Sequence, residues 1–288
     1  MKFKGIVLAG GTGSRLNPLT KSVSKHLLPI YNKPLIYYPI SVLMLLNIKD
    51  ILIVSDAYNL PLYKKLLGNG EKFGVNFQYI IQDNPKGIPD ALIVGETFIR
   101  DSKVALILGD NFFYGQGISE IINKAKNNFK GSQIFCYKVT NPSNFGVALI
   151  KNKKILSIKE KPKKLISNLA ISGLYFFDNK VIRNAKKLKL SKRKELEITK
   201  LLEIYNKNKK LDYVILGRGA TWLDTGTADG MLNASNFVYN IEKRQGFNIA
   251  CLEEIAFSKK WISKKDLTKI ISENKNSEYN DYLKSLIK

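Results

Sequence analysis

Short apolar runs alternate with longer amphipathic stretches through the first half of the chain. The apolar runs have the length and the bounding turn residues of buried strands, which we predict at 6–8, 51–54, 77–81 and 104–108. Between them, apolar positions at helical spacing predict helices at 39–46, 60–67 and 89–98. Because strand and helix succeed one another regularly, we expect a parallel, doubly wound sheet.

After Gly131 the pattern changes. Strand-like segments follow one another with few helices between them, at 134–139, 146–150, 155–160 and 171–177. These segments predict a mixed or antiparallel extension of the sheet. Further along, the pattern predicts helices at 179–187 and 195–205, and strands at 211–216 and 220–224.

The C-terminal part of the chain is predicted to be helical. Thr227 or Asp229 is a good N-cap for a helix that runs to about Arg244, and helical patterns follow at 264–273 and 279–287. We therefore predict an α/β fold with a mixed, mostly parallel central sheet and flanking helices over residues 1–245. A helical C-terminal appendage over 246–288 is expected to belong to the same compact unit.

The composition is that of an ordinary globular protein. A chain of 288 residues with 44% hydrophobic residues is long enough to bury a sizeable core, and this excludes a disordered polybasic segment. Two cysteines, Cys136 and Cys251, are too few for a disulfide scaffold or a Cys-rich zinc site. The single histidine, His26, leaves little room for a His-based catalytic triad or a His metal cluster.

The net charge is strongly positive. Lys and Arg number 47 against 24 Asp and Glu, and the formal net charge of +23 is one that nucleic-acid-binding proteins share. However, 41 of the basic residues are Lys and only 6 are Arg, the better residue for bidentate recognition of phosphate and guanine. We therefore expect no nucleic-acid partner, and a surface charge that attracts small anionic substrates.

The sequence pattern contains no targeting or membrane segment. Residues 1–5 run directly into the first predicted strand without a signal-peptide core. The longest apolar stretch, 35–48, is interrupted by Pro39 and Asn47 and is shorter than the roughly 20 residues of a membrane-spanning helix. We therefore expect a cytoplasmic protein that does not associate with membranes.

A Gly-rich segment at 9–16 directly follows the first predicted strand. Its glycines allow the backbone to approach a ligand closely and to turn amides toward phosphate oxygens, and Arg15 adds a positive charge. The segment lacks the GxxxxGK[ST] pattern of a P-loop, and Leu16 stands where a dinucleotide-binding fingerprint has its third glycine. Taken alone, such a turn is structural about as often as it is functional.

Two acids and a lysine add candidate chemistry. Asp110 lies just past the predicted strand 104–108, at the edge where open α/β sheets bind ligands, and Asp224 lies in a glycine-containing turn. Two carboxylates suit Mg²⁺, which takes its remaining ligands from water and substrate phosphates. Lys25 lies on an otherwise apolar loop. Taken singly, each aspartate also fits a turn or a helix cap.

Together, these segments resemble the sugar-1-phosphate nucleotidylyltransferase family, and within it the thymidylyltransferase-like subgroup. The resemblance is carried by 10–16, Lys25, 108–111, 160–162 and 222–227, and it continues through 33–39, 173–178, 195–199 and 253–257. It therefore covers nearly the whole chain. It implies a Rossmann-like nucleotidyltransferase fold, with a nucleotide-binding part at about 1–130 and a sugar-binding part at about 131–245.

The resemblance implies the transfer of a thymidylyl group from dTTP to glucose 1-phosphate, with Mg²⁺ as cofactor. The sugar phosphate attacks the α-phosphorus directly and pyrophosphate leaves. Because the attacking oxygen is already anionic, no general base is needed, which agrees with a chain that has one histidine. Two alternatives stay open: an enzyme of the same family that uses UTP or another hexose 1-phosphate, and a non-catalytic nucleotide-sugar sensor.

Matching positions imply a role for each site residue. The catalytic residues are Arg15, Lys25, Asp110 and Asp224, of which the two aspartates bind Mg²⁺. The nucleotide-binding positions are Leu8, Gly10, Gly11, Thr12, Gly13, Ser14, Arg15, Gln82, Pro85, Gly87 and Asp110. The sugar-phosphate-binding positions are Lys25, Phe145, Gly146, Glu160, Lys161, Ile171, Tyr175 and Trp222.

Some positions depart from the family pattern. Phe145 stands where the family usually has Tyr, which removes a hydroxyl near the sugar. Pro89 and Asp90 replace a small residue and a Gln beside the base, and Lys200 replaces an acid.

The family resemblance also implies a feedback-regulated homotetramer that has an allosteric nucleotide-sugar site between its subunits. The matching positions are Tyr114, Gly115, Ser119, Gly217, Glu254, Ile255 and Ser258. Ser119 stands in place of a His, and Ser258 in place of an Arg that would pair with a diphosphate. We therefore expect a homotetramer whose feedback inhibition is weakened or altered.

Overall fold

The structure, a computed structural model, describes residues 2–273 and 277–288. Within these ranges the strands are β1 (Phe3–Leu8), β2 (Pro29–Ile30), β3 (Lys33–Pro34), β4 (Asp50–Ser55), β5 (Asn76–Ile81), β6 (Lys103–Leu108), β7 (Asn111–Gly115), β8 (Ser132–Lys138), β9 (Gly146–Lys151), β10 (Lys154–Glu160), β11 (Leu169–Phe177), β12 (Leu211–Ile215) and β13 (Ala220–Asp224). The helices are α1 (Tyr37–Leu45), α2 (Leu60–Leu67), α3 (Ile88–Val94), α4 (Glu96–Ile99), α5 (Ile118–Asn128), α6 (Val181–Ala185), α7 (Ile198–Lys207), α8 (Ala228–Gln245), α9 (Leu252–Ser258), α10 (Lys264–Glu273) and α11 (Glu278–Ser285).

Nine strands form one central sheet. Its main path runs β10-β9-β11-β6-β1-β4-β5, and β8 pairs with both β11 and β12. The pairs among β6, β1, β4 and β5 are parallel, whereas β11 runs antiparallel to β6 and to β8. The predicted α/β fold with a mixed, mostly parallel sheet is confirmed, and so is the change to antiparallel pairing after Gly131.

Several element boundaries differ from the sequence pattern. The helix predicted at 89–98 is two helices, α3 and α4, that meet at Gly95, where the backbone lies so close to the sheet that a Cβ would stand 3.2 Å from Leu52. The helix predicted at 195–205 begins only at Ile198, because Leu196 is held by the loop before α3 through a 2.6 Å bond from its N–H to Lys86 O. Thr227, not Asp229, caps α8: its side chain accepts from Gly230 N–H.

Five elements within the described residues had no predicted counterpart of their own. They are helices α5 and α9, the two-residue strands β2 and β3, and strand β7, which begins three residues after the end of β6. β7 is a strand because it pairs with β13, which lies far along the chain, and a local pattern does not contain that pairing.

The C-terminal helices pack on the same core as the sheet. Leu252 and Ala256 of α9, Leu267 of α10 and Leu283 of α11 are buried in one hydrophobic cluster with Leu43 of α1. Residues after 245 thus share their apolar contacts with the first part of the chain. None of the described helices has the length and hydropathy needed to cross a membrane.

A buried ion pair joins the N-terminal part of the chain to α8. Lys33 donates from Nζ to Glu242 Oε1 at 2.8 Å, and both side chains are almost fully buried. Asn32 Nδ2 donates to the second oxygen of Glu242, and Ile249 N–H donates to the first. Burial lowers the pKa of Lys33, and the hydrogen bond to Glu242 opposes that change.

We expect Lys33→Met to lower the free energy of unfolding by about 3–5 kcal/mol, because it leaves the Glu242 charge buried without its partner. Urea unfolding followed by circular dichroism measures the loss. The matched control is Lys186→Met, which removes a half-exposed pair with Glu96 and should cost less than about 1 kcal/mol. Equal losses in the two variants would contradict the prediction.

Candidate active site

The site lies where β1 and β6 end side by side. The two strands pair in parallel up to Leu8 and Leu108, and Gly109 N–H then donates to Leu8 O at 2.9 Å. The Gly-rich segment leaves this edge after β1, and Asp110 leaves it after β6. Carboxyl ends of neighbouring parallel strands are the usual ligand site of open α/β sheets.

The Gly-rich segment turns sharply and leaves open space beside its backbone. Gly11 and Gly13 have φ angles of 99° and 60°, the left-handed region that favours glycine. No described atom lies within 4 Å of a Cβ placed at Gly11, whereas Gly13 packs against Thr20, whose hydroxyl donates to Gly13 O. A short 3-10 helix at Ser14–Leu16 follows. The segment can therefore present its backbone to a ligand.

Asp110 is a buried carboxylate with a close cationic partner. It is 8% exposed, and Lys25 Nζ donates to its Oδ2 while Asn111 Nδ2 donates to its Oδ1 at 3.0 Å. Burial by itself would raise the pKa of Asp110, but the charges of Lys25 and of His26, if protonated, and these hydrogen bonds outweigh it and bring the pKa to about 2. Asp110 is therefore ionised at neutral pH.

Strand pairing brings the second acid, Asp224, next to the first. β13 lies antiparallel to β7 with Asp224 opposite Asn111, and the Thr225 hydroxyl donates to Asp110 O at 2.7 Å. Burial and then the negative charge of Asp110 raise the pKa of Asp224, and the N–H of Gly226 opposes the rise. Two carboxylates so close together destabilise each other unless a cation lies between or beside them.

The donor set is of the kind that could hold a magnesium ion, whose remaining ligands would come from outside the protein. Carboxylate oxygens are hard ligands, and each oxygen of Asp110 has a lone pair beyond the hydrogen bond it accepts. Within residues 2–273 and 277–288, no three His, Cys, Asp or Glu side chains come together as a ready-made metal cage. Asp110 and Asp224 are the pair in this site that fits the ion.

Arg15 lies against the turn that follows β13. A Cβ placed at Gly226 would stand 2.6 Å from Arg15 Nη2, so the guanidinium of this exposed arginine would have to shift if a larger residue stood there. The Arg15 charge lowers the pKa of Asp224, against the larger effects of burial and of Asp110. The segment after β1 and the turn after β13 thus meet at this arginine.

His26 is a buried structural residue under the site. Its Nδ1 lies 3.0 Å from Ser24 Oγ and 3.3 Å from Tyr63 Oη, and its ring packs so closely on Gly109 that a Cβ there would stand 2.6 Å from Cδ2. Burial, and then the charge of Lys25, lower the pKa of His26 to about 3. The imidazole is therefore neutral at neutral pH.

A cavity of about 180 Å³ opens beside these groups. Ten residues that the sequence resemblance singled out line it: Arg15, Asp110, Phe145, Gly146, Glu160, Lys161, Ile171, Tyr175, Trp222 and Asp224. Seven further lining residues had no role assigned: Ile88, Leu108, Asn111, Asn144, Gly173, Ile198 and Thr199. Lys25 reaches the cavity through its bond to Asp110.

Glu160 offers a free acceptor at the far wall. Its Oε1 lies 3.4 Å from Arg193 Nη2, whereas its Oε2 is buried and makes no hydrogen bond within the described residues. A Cβ placed at Gly146 would stand 3.4 Å from that Oε2 and 3.0 Å from the methyl group of Thr199. Burial and then the charge of Glu197 raise the pKa of Glu160, against the charge of Arg193.

Asn111 is the most connected of the residues that sequence reasoning missed. Its Oδ1 accepts from Gly173 N–H at 2.9 Å and from Trp222 Nε1 at 2.6 Å, while its Nδ2 donates to Asp110. The side chain thus ties β7, β11 and β13 together. Its place beside Asp110 was a usable signal, but its partners become visible only in the folded chain.

The remaining nucleotide-binding candidates, Leu8, Gly10–Ser14, Gln82, Pro85 and Gly87, do not line this cavity. Gln82 follows β5 and lies beside Gly10, because a Cβ placed at Gly10 would stand 3.6 Å from Gln82 Oε1. Gly87 has a φ of 99° and packs against Leu196 O.

A larger cavity of about 730 Å³ lies at the opposite edge of the sheet, among Lys2, Lys49 and Lys103. Neither Asp110 nor Asp224 lines it.

The candidate allosteric positions lie outside the cavity. Tyr114 and Gly115 belong to β7, Ser119 to α5, and Glu254, Ile255 and Ser258 to α9, while Gly217 lies between β12 and β13. The Tyr114 ring contacts Phe112 and Phe237, and its hydroxyl donates to Gln245. The allosteric site and the tetramer stay predictions.

Comparisons with known proteins agree over the length of the chain. A family model described as nucleotidyl transferase matches residues 4–241. Glucose-1-phosphate thymidylyltransferase of Neisseria meningitidis is 45% identical over 99% of this chain and 100% of its own, and that of Mycobacterium tuberculosis is 42% identical over 99% of each chain.

Solved structures are similar to this one as well. A Bacillus anthracis crystal structure, described as a glucose-1-phosphate thymidylyltransferase in complex with sucrose, is 40% identical with a TM-score of 0.76, over 82% of this chain and 94% of that one. A UDP-glucose pyrophosphorylase in complex with UDP-glucose is 25% identical with a TM-score of 0.72, over 83% and 99%. The chain therefore belongs to the nucleotidyl transferase family.

Proposed function

We propose that this enzyme makes dTDP-glucose and pyrophosphate from dTTP and glucose 1-phosphate. The observation that carries the proposal is the cavity beside Asp110 and Asp224, which has Arg15 at one side and Glu160 and Lys161 at the other. Cations and carboxylates gathered at one cavity suit a place where two phosphate groups react. The relatives named glucose-1-phosphate thymidylyltransferase, at 42–45% identity over 99% of this chain, support the choice of substrates.

The chemistry is an in-line displacement at phosphorus. A phosphate oxygen of glucose 1-phosphate forms a bond to the α-phosphorus of dTTP, the bond from that phosphorus to the bridging oxygen breaks, and pyrophosphate leaves with the electron pair. The attacking oxygen is anionic, so no proton has to be removed from it. Catalysis then requires alignment of the two phosphates and stabilisation of the developing charge.

The cationic side chains supply much of that stabilisation. Arg15 would lie along the nucleotide phosphates as pyrophosphate departs, because its guanidinium already lies beside Gly226 and its charge acts on Asp224. Lys25 would bind phosphate at the reacting centre from its place on Asp110. Asp110 and Asp224 would hold Mg²⁺, which neutralises phosphate charge when it is bound.

The far wall of the cavity would bind the sugar. Glu160 Oε2, buried and without a hydrogen bond in the described part of the chain, can accept one from a hexose hydroxyl. Lys161 would contact the sugar phosphate. Phe145 packs edge to face on Trp222, with ring centroids 5.2 Å apart, and forms an apolar wall that has no hydroxyl.

The Gly-rich segment with Gln82, Pro85 and Gly87 would bind the nucleoside. Gly11 leaves open space beside the backbone, and Gln82 lies next to Gly10. A glutamine amide suits thymine and uracil equally well, so UTP is the closest alternative nucleotide. We further propose that the enzyme works in the cytoplasm, where nucleoside triphosphates are available, as a homotetramer whose feedback control is altered by Ser119 and Ser258.

A pyrophosphate-release assay tests the proposed function directly. It crosses dTTP and UTP with glucose, galactose and mannose 1-phosphates in the presence of Mg²⁺. We expect the highest kcat/KM for dTTP with glucose 1-phosphate, and loss of release when EDTA removes the metal. No release from any pair would refute the enzymatic function, and a preference for UTP would favour the alternative enzyme.

Asp110→Asn should lower kcat by at least about 100-fold, because it removes the negative charge that holds both Lys25 and the metal. The side chain keeps its shape, so the circular dichroism spectrum should stay that of the unaltered chain. Asp101→Asn, at an exposed aspartate with no hydrogen bond or ion pair in the described residues, should keep full activity. Full turnover by Asp110→Asn would show that the metal assignment is wrong.

Glu160→Gln should raise KM for glucose 1-phosphate by about 10-fold or more and leave KM for dTTP unchanged, because a charged acceptor for a sugar hydroxyl is lost. Steady-state kinetics with each substrate varied in turn separates the two constants. Glu203→Gln, on α7 and paired with Lys200, is the control. If both KM values stay the same, Glu160 does not bind the sugar.

A further inference from the structure

Gln82 is held by Asp90, a position at which this chain departs from the family pattern. Gln82 is 4% exposed, and its Nε2 donates to Asp90 Oδ2 at 2.6 Å. Asp90 lies in the first turn of α3, and the same Oδ2 lies 3.4 Å from the backbone N–H of Lys86. The carboxylate is thus tied both to Gln82 and to the loop that carries Gly87.

This hydrogen bond fixes which way round the Gln82 amide lies. A carboxylate accepts hydrogen bonds and does not donate them, so the NH₂ group and not the carbonyl oxygen must face Asp90. The carbonyl oxygen then faces the Gly-rich segment, beside Gly10. A reversed amide would set the Gln82 carbonyl oxygen against Asp90 Oδ2, two acceptors with no proton between them in a partly buried place, which is strongly unfavourable.

The orientation of that amide matters because pyrimidines differ in the order of their donors and acceptors. Thymine and uracil have an N3–H donor beside the O4 acceptor, whereas cytosine has an N3 acceptor beside its N4 amino donor. The Gln82 amide has its carbonyl oxygen and its second N–H left for a ligand. Because the ribose and phosphates fix the position of the base, its donors and acceptors can face the Gln82 carbonyl oxygen and N–H in one arrangement only.

We propose that Asp90 is a positioning residue that makes the nucleotide site select thymine and uracil over cytosine, by locking the Gln82 amide with its acceptor toward the base. The inference rests on the proposed function, since it requires the nucleotide to lie along the Gly-rich segment. Asp90 acts through Gln82. It leaves the choice between dTTP and UTP to other contacts.

The test compares kcat/KM for dTTP and dCTP, with glucose 1-phosphate saturating, in the unaltered enzyme and in Asp90→Asn. Asparagine has the same shape, but it can donate as well as accept, so Gln82 can adopt both orientations. We expect the ratio of kcat/KM for dTTP to that for dCTP to fall by about 10-fold. The change should lie in KM, with kcat for dTTP nearly unchanged, because the base contact is the same in the ground state and the transition state.

Two further variants make the test decisive. Asp90→Ala removes the acceptor without adding a donor, so its ratio must also fall, and it replaces Asp90→Asn if that variant does not fold. Asp101→Asn, an exposed aspartate on another turn, must keep the original ratio.

The outcomes separate this inference from the function on which it rests. An enzyme that is active with dTTP, but whose selectivity is unchanged in both Asp90 variants, overturns the inference alone. An unaltered chain that releases no pyrophosphate from dTTP overturns the proposed function and the inference together. A fall in the ratio confined to the Asp90 variants supports both.

Discussion

The site depends on one carboxylate that the fold buries and must keep ionised. Asp110 is 8% exposed at the end of β6, where burial alone would raise its pKa. The Lys25 ammonium and the Asn111 amide reverse that effect, and the Thr225 hydroxyl fixes the backbone of Asp110. These three partners come from a loop after β1, from β7 and from the end of β13. Three separate segments therefore meet at Asp110, of which two stabilise its ionised carboxylate and the third holds its backbone.

A few hydrogen bonds connect the surroundings of Asp110 to the rest of the cavity. Asn111 holds the backbone of Gly173 and the indole of Trp222, so the same residue that supports Asp110 also positions the wall expected to bind the sugar. Any side chain at position 173 would clash with Asn111, since a Cβ there would stand 2.6 Å from it. The two parts of the chain, before and after Gly131, are thus held in a fixed relation across the cavity. Alignment of two substrates needs that fixed relation.

The sequence predicted what local pattern and short motifs contain. The strands at 6–8 and 104–108 are apolar runs between turn signals, and the Gly-rich segment follows the first of them, so the ligand edge of the sheet was predictable. β7 and the role of Asn111 were not predictable, because both arise from pairing with β13, which lies more than a hundred residues away. The late start of α7 has the same origin, since Leu196 is held by the loop before α3.

The single histidine is a neutral residue next to a charged one. His26 follows Lys25 in the chain, and its buried ring has a pKa of about 3, so it stays neutral beside an ammonium. Its Nδ1 lies beside the hydroxyls of Ser24 and Tyr63, so the ring supports the loop that carries Lys25 without adding a charge.

The reaction has no use for a proton carrier, because its nucleophile is already an anion. Of the 47 basic residues, Arg15 and Lys161 line the cavity, Lys25 reaches it through Asp110, and Lys33 is buried in its pair with Glu242. The proposed chemistry would therefore depend on where three cations and two carboxylates are fixed.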